Sequence, residues 1–439
     1  MTASATLAEK QSMDCLVIQG GRPLSGHVQV SGAKNAALPL LAATLLAPGE
    51  HVLTRVPKLA DTHTMVRVLE ALGAKVRWDD GKLRIDTSTC ASVEAPYELV
   101  RTMRASVYVL GPLLARFGRA RVSLPGGCAW GPRPVDLHIK GMEALGATIE
   151  IDEGYIVATA PGGKAAGHKT GGLRGTRFAF PISSVGATGN LLMAAVLARG
   201  ITIIDNAAIE PEITQLAEYL VAMGAVIEGV GTTHLEIEGV ESLQPGRVEV
   251  IADRIEAATY LVAGAISLGD VTITDSRPGH LAASLGALEA TGSRITIEGR
   301  NVTLQSSGRP RAADLVTAVY PGFATDMQAQ MMALATVADG VSTITDTIYL
   351  DRFSHAPELA RMGADIRVEG NVATVHGRER LKGAPVMATD LRASAALVLA
   401  GLAAEGETRV SRIYHLDRGY EALADKLAAL GAAIERRPE

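Results

Sequence analysis

Residues 197–230 read LARGITIIDNAAIEPEITQLAEYLVAMGAVIEGV. An apolar helical run (NLLMAAVLAR) ends at Gly200, and the alternating run ITIID that follows has the period of a strand. An amphipathic helical segment then closes on AMGAVI, where Gly224 can take the left-handed conformation of a helix C-terminus and the β-branched pair behind it starts another strand. The same cassette recurs. ALGAKV carries Gly73, ALGATI Gly146, ATGSRI Gly292, RMGADI Gly363 and ALGAAI Gly431, at gaps of 73, 78, 68, 71 and 68 residues along the chain. Each of these glycines has a partner 23–28 residues upstream: Gly49, Gly118, Gly200, Gly269, Gly340 and Gly406. The predicted unit is a first helix, a strand, a loop, a second helix and two further strands. Six such units of about 70 residues fill the chain.

The first helix of each unit is apolar on nearly every face and is predicted to be buried; the second is more amphipathic. Single cores stop growing near ~250–300 residues, so 439 residues predict two globules of three units each, with a cleft between similar halves. The segment CLVIQGG supplies a strand with no helix of its own, and the last unit ends on the strand AAIERR. The N-terminal strand is therefore expected to complete the final unit. The chain would leave one domain near Lys34 and return near residues 247–253.

Hydrophobic residues make up 47% of the sequence and charged residues 20%, which excludes disorder. A net charge of -5 argues against a nucleic-acid partner. Three cysteines, Cys15, Cys90 and Cys128, cannot form a disulfide framework and fit a reducing compartment. The first 13 residues lack the apolar core of a signal peptide, and the apolar stretch from Ala36 to Pro48 is too short to span a bilayer. A cytoplasmic protein without membrane attachment is expected.

Aligning the units gathers one set of residues at the start of the first helices: Lys34 and Asn35, Arg104, Ser183 to Gly186, Asp253 and Arg254, Thr325 and Asp326, Asp390 and Arg392. Ser and Asp there are ordinary caps as readily as ligand contacts. A cation opposes the helix dipole, so Lys34, Arg104 and Arg392 suggest anionic groups held nearby. The loops before the second helices supply a second set. LPGGCAWGPRPVDLH, residues 124–138, places Cys128 among glycines with Arg133 five residues on, as suits either a thiol in a turn or a reactive one. Glu210, Arg352 and Arg418 each read as a solvated charge or a local ion pair. The ten histidines show no metal-ligand spacing, and no phosphate-binding Gly-rich motif is present, so neither a metal nor a nucleotide cofactor is expected.

Taken together, SGAKNAALP, TMRAS, LPGGC…RPVDLH, SVGAT, NAAIEPEI, TDMQAQ, DRFSH, MATDLRAS and RIYHLDRGYE resemble the enolpyruvyl transferases over the full length. The PGGC loop and RPVDLH are similar to the branch whose acceptor is UDP-N-acetylglucosamine and which opens peptidoglycan precursor synthesis. The sister branch, acting on shikimate 3-phosphate, has no matching cysteine loop, and the related RNA 3′-phosphate cyclases work through a histidine motif not found here. The resemblance implies a two-domain inside-out α/β barrel of six βαβαββ repeats, three per domain, with buried helices and outer sheets. It implies one domain of residues 1–33 with 252–439 and another of residues 34–251.

The implied reaction adds the 3′-OH of the nucleotide sugar across phosphoenolpyruvate and then eliminates phosphate. By resemblance, Cys128 is the proton donor and Asp326 accepts the sugar hydroxyl proton. Lys34, Asn35, Arg133, Arg392 and Arg418 are implied to bind phosphoenolpyruvate. Asn35, Arg104, Arg133, Pro134, Val135, Asp136, Leu137, Ser183, Ser184, Val185, Gly186, Asp326 and Ile348 are implied to bind UDP-N-acetylglucosamine. No cofactor or metal is implied. Trp130, Pro132, Ala324 and Ile182 depart from the commoner pattern without removing a named chemical group. Two other readings stay open: another acceptor such as shikimate 3-phosphate, and a paralogue that binds a nucleotide sugar and regulates.

Overall fold

A computed structural model describes residues 14–101, 103–124, 135–161 and 171–439; the side chain of Arg104 also falls outside the description. The chain divides into two compact units, Met1–Ser31 with Ala252–Glu439, and Gly32–Ile251. Among the described residues each contains three four-stranded sheets.

All six sheets share one pattern. A first strand pairs in parallel with the strand that follows the unit's first helix. That strand pairs antiparallel with the fourth, and the fourth with the third. In the Gly32–Ile251 unit the first strands Glu94–Ala95 and Arg177–Ala179 span two and three residues, too short to leave a periodic signal in the sequence. The N-terminal strand Asp14–Gln19 lies between Glu407–Ser411 and Ala433–Pro438, completing the sixth sheet as expected.

Two strands are placed where sequence order does not suggest. Ser25–Gln29 leads into the helix Lys34–Ala43, yet it pairs with Asp270–Thr274 of its own unit. Arg247–Glu249 leads into the helix Arg254–Ile266, yet it pairs with Glu50–Thr54.

The first helices are interior, as their all-round apolarity requires. Every residue from Ile255 to Ile266 is buried, as is every residue from Arg392 to Leu402 in the helix Leu391–Ala403. Small side chains let these helices approach closely. A Cβ on Gly111 would sit 2.4 Å from the Asn190 carbonyl oxygen of the neighbouring helix. The Gly111 N–H instead donates to Asn190 Oδ1 at 2.7 Å. Each unit has its own apolar cluster around such helices, so each is an inside-out α/β assembly with helices within and sheets without.

The helix-ending glycines 73, 146, 224, 292, 363 and 431 all have φ between 91° and 105°, the left-handed turn that their spacing predicts. Five of the six upstream glycines, 49, 118, 200, 340 and 406, also have positive φ. In the fourth unit Leu268 takes the left-handed conformation, with φ 57°, and Gly269 serves close packing instead: a Cβ there would lie 2.0 Å from the Leu24 carbonyl oxygen. Among the described residues no helix is long and apolar enough to cross a membrane.

Candidate active site

In the discontinuous unit, Asp326 lies in the turn Thr325–Met327 that starts the buried helix Gln328–Ala335. Arg392 Nη2 donates to Asp326 Oδ2 at 2.7 Å, and Arg352 Nη2 donates to Asp326 Oδ1 at 2.7 Å. Both arginines are buried, each at 6% exposure. Burial opposes ionisation of Asp326, but the two guanidiniums outweigh it and hold the carboxyl well below the usual carboxylate range. Arg392 responds in kind. Burial works against its charge, and Asp326 raises its pKa nonetheless.

A polar network backs this clamp. Arg392 Nη1 donates to Tyr420 Oη at 3.3 Å, and Tyr420 Oη also meets Thr259 Oγ1 at 3.0 Å and Gln330 Nε2 at 3.1 Å. Gln330 Nε2 returns to the Asp326 carbonyl at 3.0 Å. His355 is buried beside the clamp. Burial pushes its imidazole down to about 4 against the pull of Asp390, with Arg352 adding to the effect, so it is neutral at pH 7. Asp390 caps its helix by accepting from Arg392 N and Ala393 N, and Asp253 does the same for Ile255 N and Glu256 N. For these two aspartates the capping role is therefore filled. Arg418 is half-buried at the end of the turn Ile413–Arg418, and Ile348 is exposed.

In the Gly32–Ile251 unit, Lys34 opens its helix and donates from Nζ to Asp61 Oδ2 at 3.2 Å; Asn35 beside it is half-buried. Ser184 caps the helix Val185–Ala195 by accepting from Ala187 N at 3.4 Å. Ser183, Val185 and Gly186 share this half-buried edge. Val135 precedes the helix Asp136–Ala144, in which Leu137 follows Asp136. Asp136 Oδ1 is buried with no hydrogen-bond partner among the described residues.

The two helix starts are neighbours. A Cβ on Gly186 would lie 3.1 Å from His138 Nε2. His138 Nδ1 meets Asn190 Nδ2 at 3.0 Å, and Asn190 Nδ2 also donates to the Val107 carbonyl at 2.8 Å. Thus 135–137 and 183–186 come together, as Asp326 and Arg392 do in the other unit. Cys128, Trp130, Pro132, Arg133 and Pro134 lie outside the described residues. Arg104 starts the turn Arg104–Val109.

Two expectations are sharpened. Of the two readings of Arg352, a solvated charge or a local ion pair, the ion pair is the one found, but it is buried and forms half of the Asp326 clamp. No periodic signal marks it; only its place before a second helix, shared with Glu210 and Arg418, sets it apart. The anions inferred beside Lys34 and Arg392 include the chain's own Asp61 and Asp326, because a buried cation at a helix start needs a countercharge with or without a ligand.

The sequence profile of the family described as EPSP synthase (3-phosphoshikimate 1-carboxyvinyltransferase) matches residues 18–427. A UDP-N-acetylglucosamine 1-carboxyvinyltransferase of Trichlorobacter lovleyi is 55% identical over 427 residues, 97% of this chain and 100% of the relative. One from Chloroherpeton thalassium is 54% identical over 97% of each chain. Among solved structures, the enolpyruvyl transferase NikO from Streptomyces tendae superposes with a TM-score of 0.86 at 28% identity, over 98% of this chain and 100% of that one. An EPSP synthase from Acinetobacter baumannii shares the fold, with a TM-score of 0.74 at 18% identity over 97% and 99%. A match that runs nearly end to end in sequence and in fold places this chain in the enolpyruvyl transferase family.

Proposed function

We propose that this enolpyruvyl transferase uses UDP-N-acetylglucosamine as acceptor, taking the enolpyruvyl group of phosphoenolpyruvate onto the 3′-OH and releasing phosphate, as the first committed step of peptidoglycan precursor synthesis in the cytoplasm. The observation that carries the reading is the Asp326 carboxylate, held ionised between Arg352 and Arg392 at the start of a buried helix. The relatives at 54–55% identity support this acceptor.

In the addition step the 3′ oxygen bonds to C2 of the enol, C3 takes a proton from Cys128, and Asp326 takes the hydroxyl proton. In the elimination C3 returns a proton to the Cys128 thiolate, the C2–C3 double bond returns, the C2–O bond to phosphate breaks, and the phosphate leaves with the proton that Asp326 took. A carboxylate bound by two guanidiniums is a weak base. Arg392 resolves this if it turns to the carboxylate of phosphoenolpyruvate: Asp326 then loses one charged donor and gains basicity as the second substrate arrives. Lys34, Arg133 and Arg418 would hold the phosphate. Asn35, Arg104, residues 133–137, residues 183–186 and Ile348 would hold the nucleotide sugar. The Cys128 loop belongs to the domain of residues 34–251, and Asp326 to the domain of residues 1–33 with 252–439.

The test is phosphate release from phosphoenolpyruvate with each acceptor supplied separately. Turnover with UDP-N-acetylglucosamine alone is expected. Turnover with shikimate 3-phosphate alone would move the chain to the sister branch, and turnover with neither would favour a binding role.

A further inference from the structure

We propose that Asp346 is a positioning residue for this reaction, orienting the Asp326 clamp through the Thr325 hydroxyl while its other oxygen fixes the turn that carries Ile348. The inference rests on the reading of Asp326 as the base and of Ile348 as a nucleotide-sugar contact.

Asp346 follows the strand Val341–Thr345 and is fully buried. Its Oδ2 accepts from Thr325 Oγ1 at 2.7 Å. Its Oδ1 accepts from Thr317 Oγ1, Ile348 N and Tyr349 N, each at 2.9 Å. One carboxylate thus joins the residue before the base to the turn at 347–349. The Asp346 backbone is itself fixed, since its N–H donates to Asn371 O at 2.9 Å and its carbonyl accepts from Asn371 Nδ2 at 3.1 Å.

The Thr325 hydroxyl has a single proton, and its direction is dictated. A guanidinium only donates. Arg352 Nη1 donates to Thr325 Oγ1 at 2.8 Å, so the hydroxyl proton must point to Asp346. The result is a directed chain: Asp346 carboxylate, Thr325 hydroxyl, Arg352 guanidinium, Asp326 carboxylate. Its last link, Arg352 Nη2 to Asp326 Oδ1, is the bond that leaves Asp326 Oδ2 to Arg392. If Arg392 leaves for the substrate carboxylate, Arg352 alone keeps Asp326 aimed, and Asp346 keeps Arg352 aimed. In low-dielectric surroundings such a chain is stronger than its links taken singly.

The experiment is a double-mutant cycle read in steady-state kinetics. Thr325→Val removes the hydroxyl and leaves the bonds to the 347–349 turn. It should lower kcat roughly tenfold, the effect of losing one hydrogen bond to a charged group, with little change in KM. Thr325→Ser should recover most of that loss. In Asp346→Asn the amide retains its acceptor for the turn only if its NH₂ faces Thr325, which strands the hydroxyl proton. The loss in kcat should match that of Thr325→Val, with a raised KM for UDP-N-acetylglucosamine. The double variant should be no slower than Asp346→Asn alone, because both changes break one chain. Wild-type kcat in Thr325→Val, no rescue by Ser, or losses that multiply in the double variant would overturn the proposal. If Asp346→Asn does not fold, the Val and Ser variants still decide it. Asp326→Asn, assayed alongside, tests the underlying reading by itself: full activity there removes the base, whereas inactivity there with normal Thr325→Val removes only the role given to Asp346.

Discussion

Glu256→Gln should change the pH dependence of stability in a direction that can be worked out in advance. Glu256 is 2% exposed. It accepts from the Ser31 N–H at 2.8 Å and from Lys426 Nζ at 2.6 Å, and the same ammonium donates to Ser31 Oγ at 2.7 Å. Burial pushes the Glu256 carboxyl up to about 7, against the pull of Lys426 and of the Ser31 N–H. In the unfolded chain the group titrates near 4.5. Between these values the folded state holds a proton that the unfolded state has released. The contribution is therefore fully present below 4.5 and is lost as pH rises through 7. The interval corresponds to about 3 kcal/mol. Glutamine cannot titrate, so urea denaturation of the two proteins, followed by circular dichroism, should show wild type losing stability relative to the variant by this order as pH rises from about 4.5 to about 8. The comparison cancels groups that both proteins share, such as His280 and His355, which burial pushes down to about 4 and which act in the opposite sense. A stability difference that stays constant across that range would refute the argument and show Glu256 ionised throughout by Lys426.

Lys34→Met should raise KM for phosphoenolpyruvate roughly tenfold or more, with a smaller effect on KM for the nucleotide sugar, in the phosphate-release assay. Asn190→Leu removes the bonds to Gly111 N, Val107 O and His138, and should lower stability by about 2–4 kcal/mol in urea titrations. A variant as stable as wild type would deny Asn190 its role in fastening the interior helices. Gly186→Ala must displace His138 and should weaken UDP-N-acetylglucosamine binding severalfold by calorimetry while leaving the fold intact by circular dichroism. An epoxide mimic of phosphoenolpyruvate should add once to Cys128, read by intact mass and abolished in Cys128→Ser.

What the sequence disclosed and what it withheld have separate physical causes. Glycines that must turn left-handed cannot be replaced cheaply, so the six helix ends stand out in the chain as they do in the backbone. Leu268 shows the limit of that signal: an ordinary residue carries the turn, and the glycine beside it answers to a close approach instead. The first strands are too brief to alternate, and the partners of Ser25–Gln29 and Arg247–Glu249 are settled by pairing across hundreds of residues. At the site, Asp326 and Arg392 were found at matching repeat positions, whereas Arg352 lies in a loop where burial, invisible in a string of letters, decides its role.

The exchanged strands make the 32–251 stretch an insert whose described strands pair only with one another. All the strands of its three sheets lie within it. At its edges, Ala33 N donates to Ile251 O at 2.7 Å, and in the host unit Asp253 N donates to Ser31 O at 2.9 Å. The host's cut ends therefore abut, and splicing residue 31 to residue 252 would need almost no linker. In genetic terms the molecule is a parenthesis: a half that could be lifted out as one contiguous piece, leaving behind a remainder whose wound is already nearly closed.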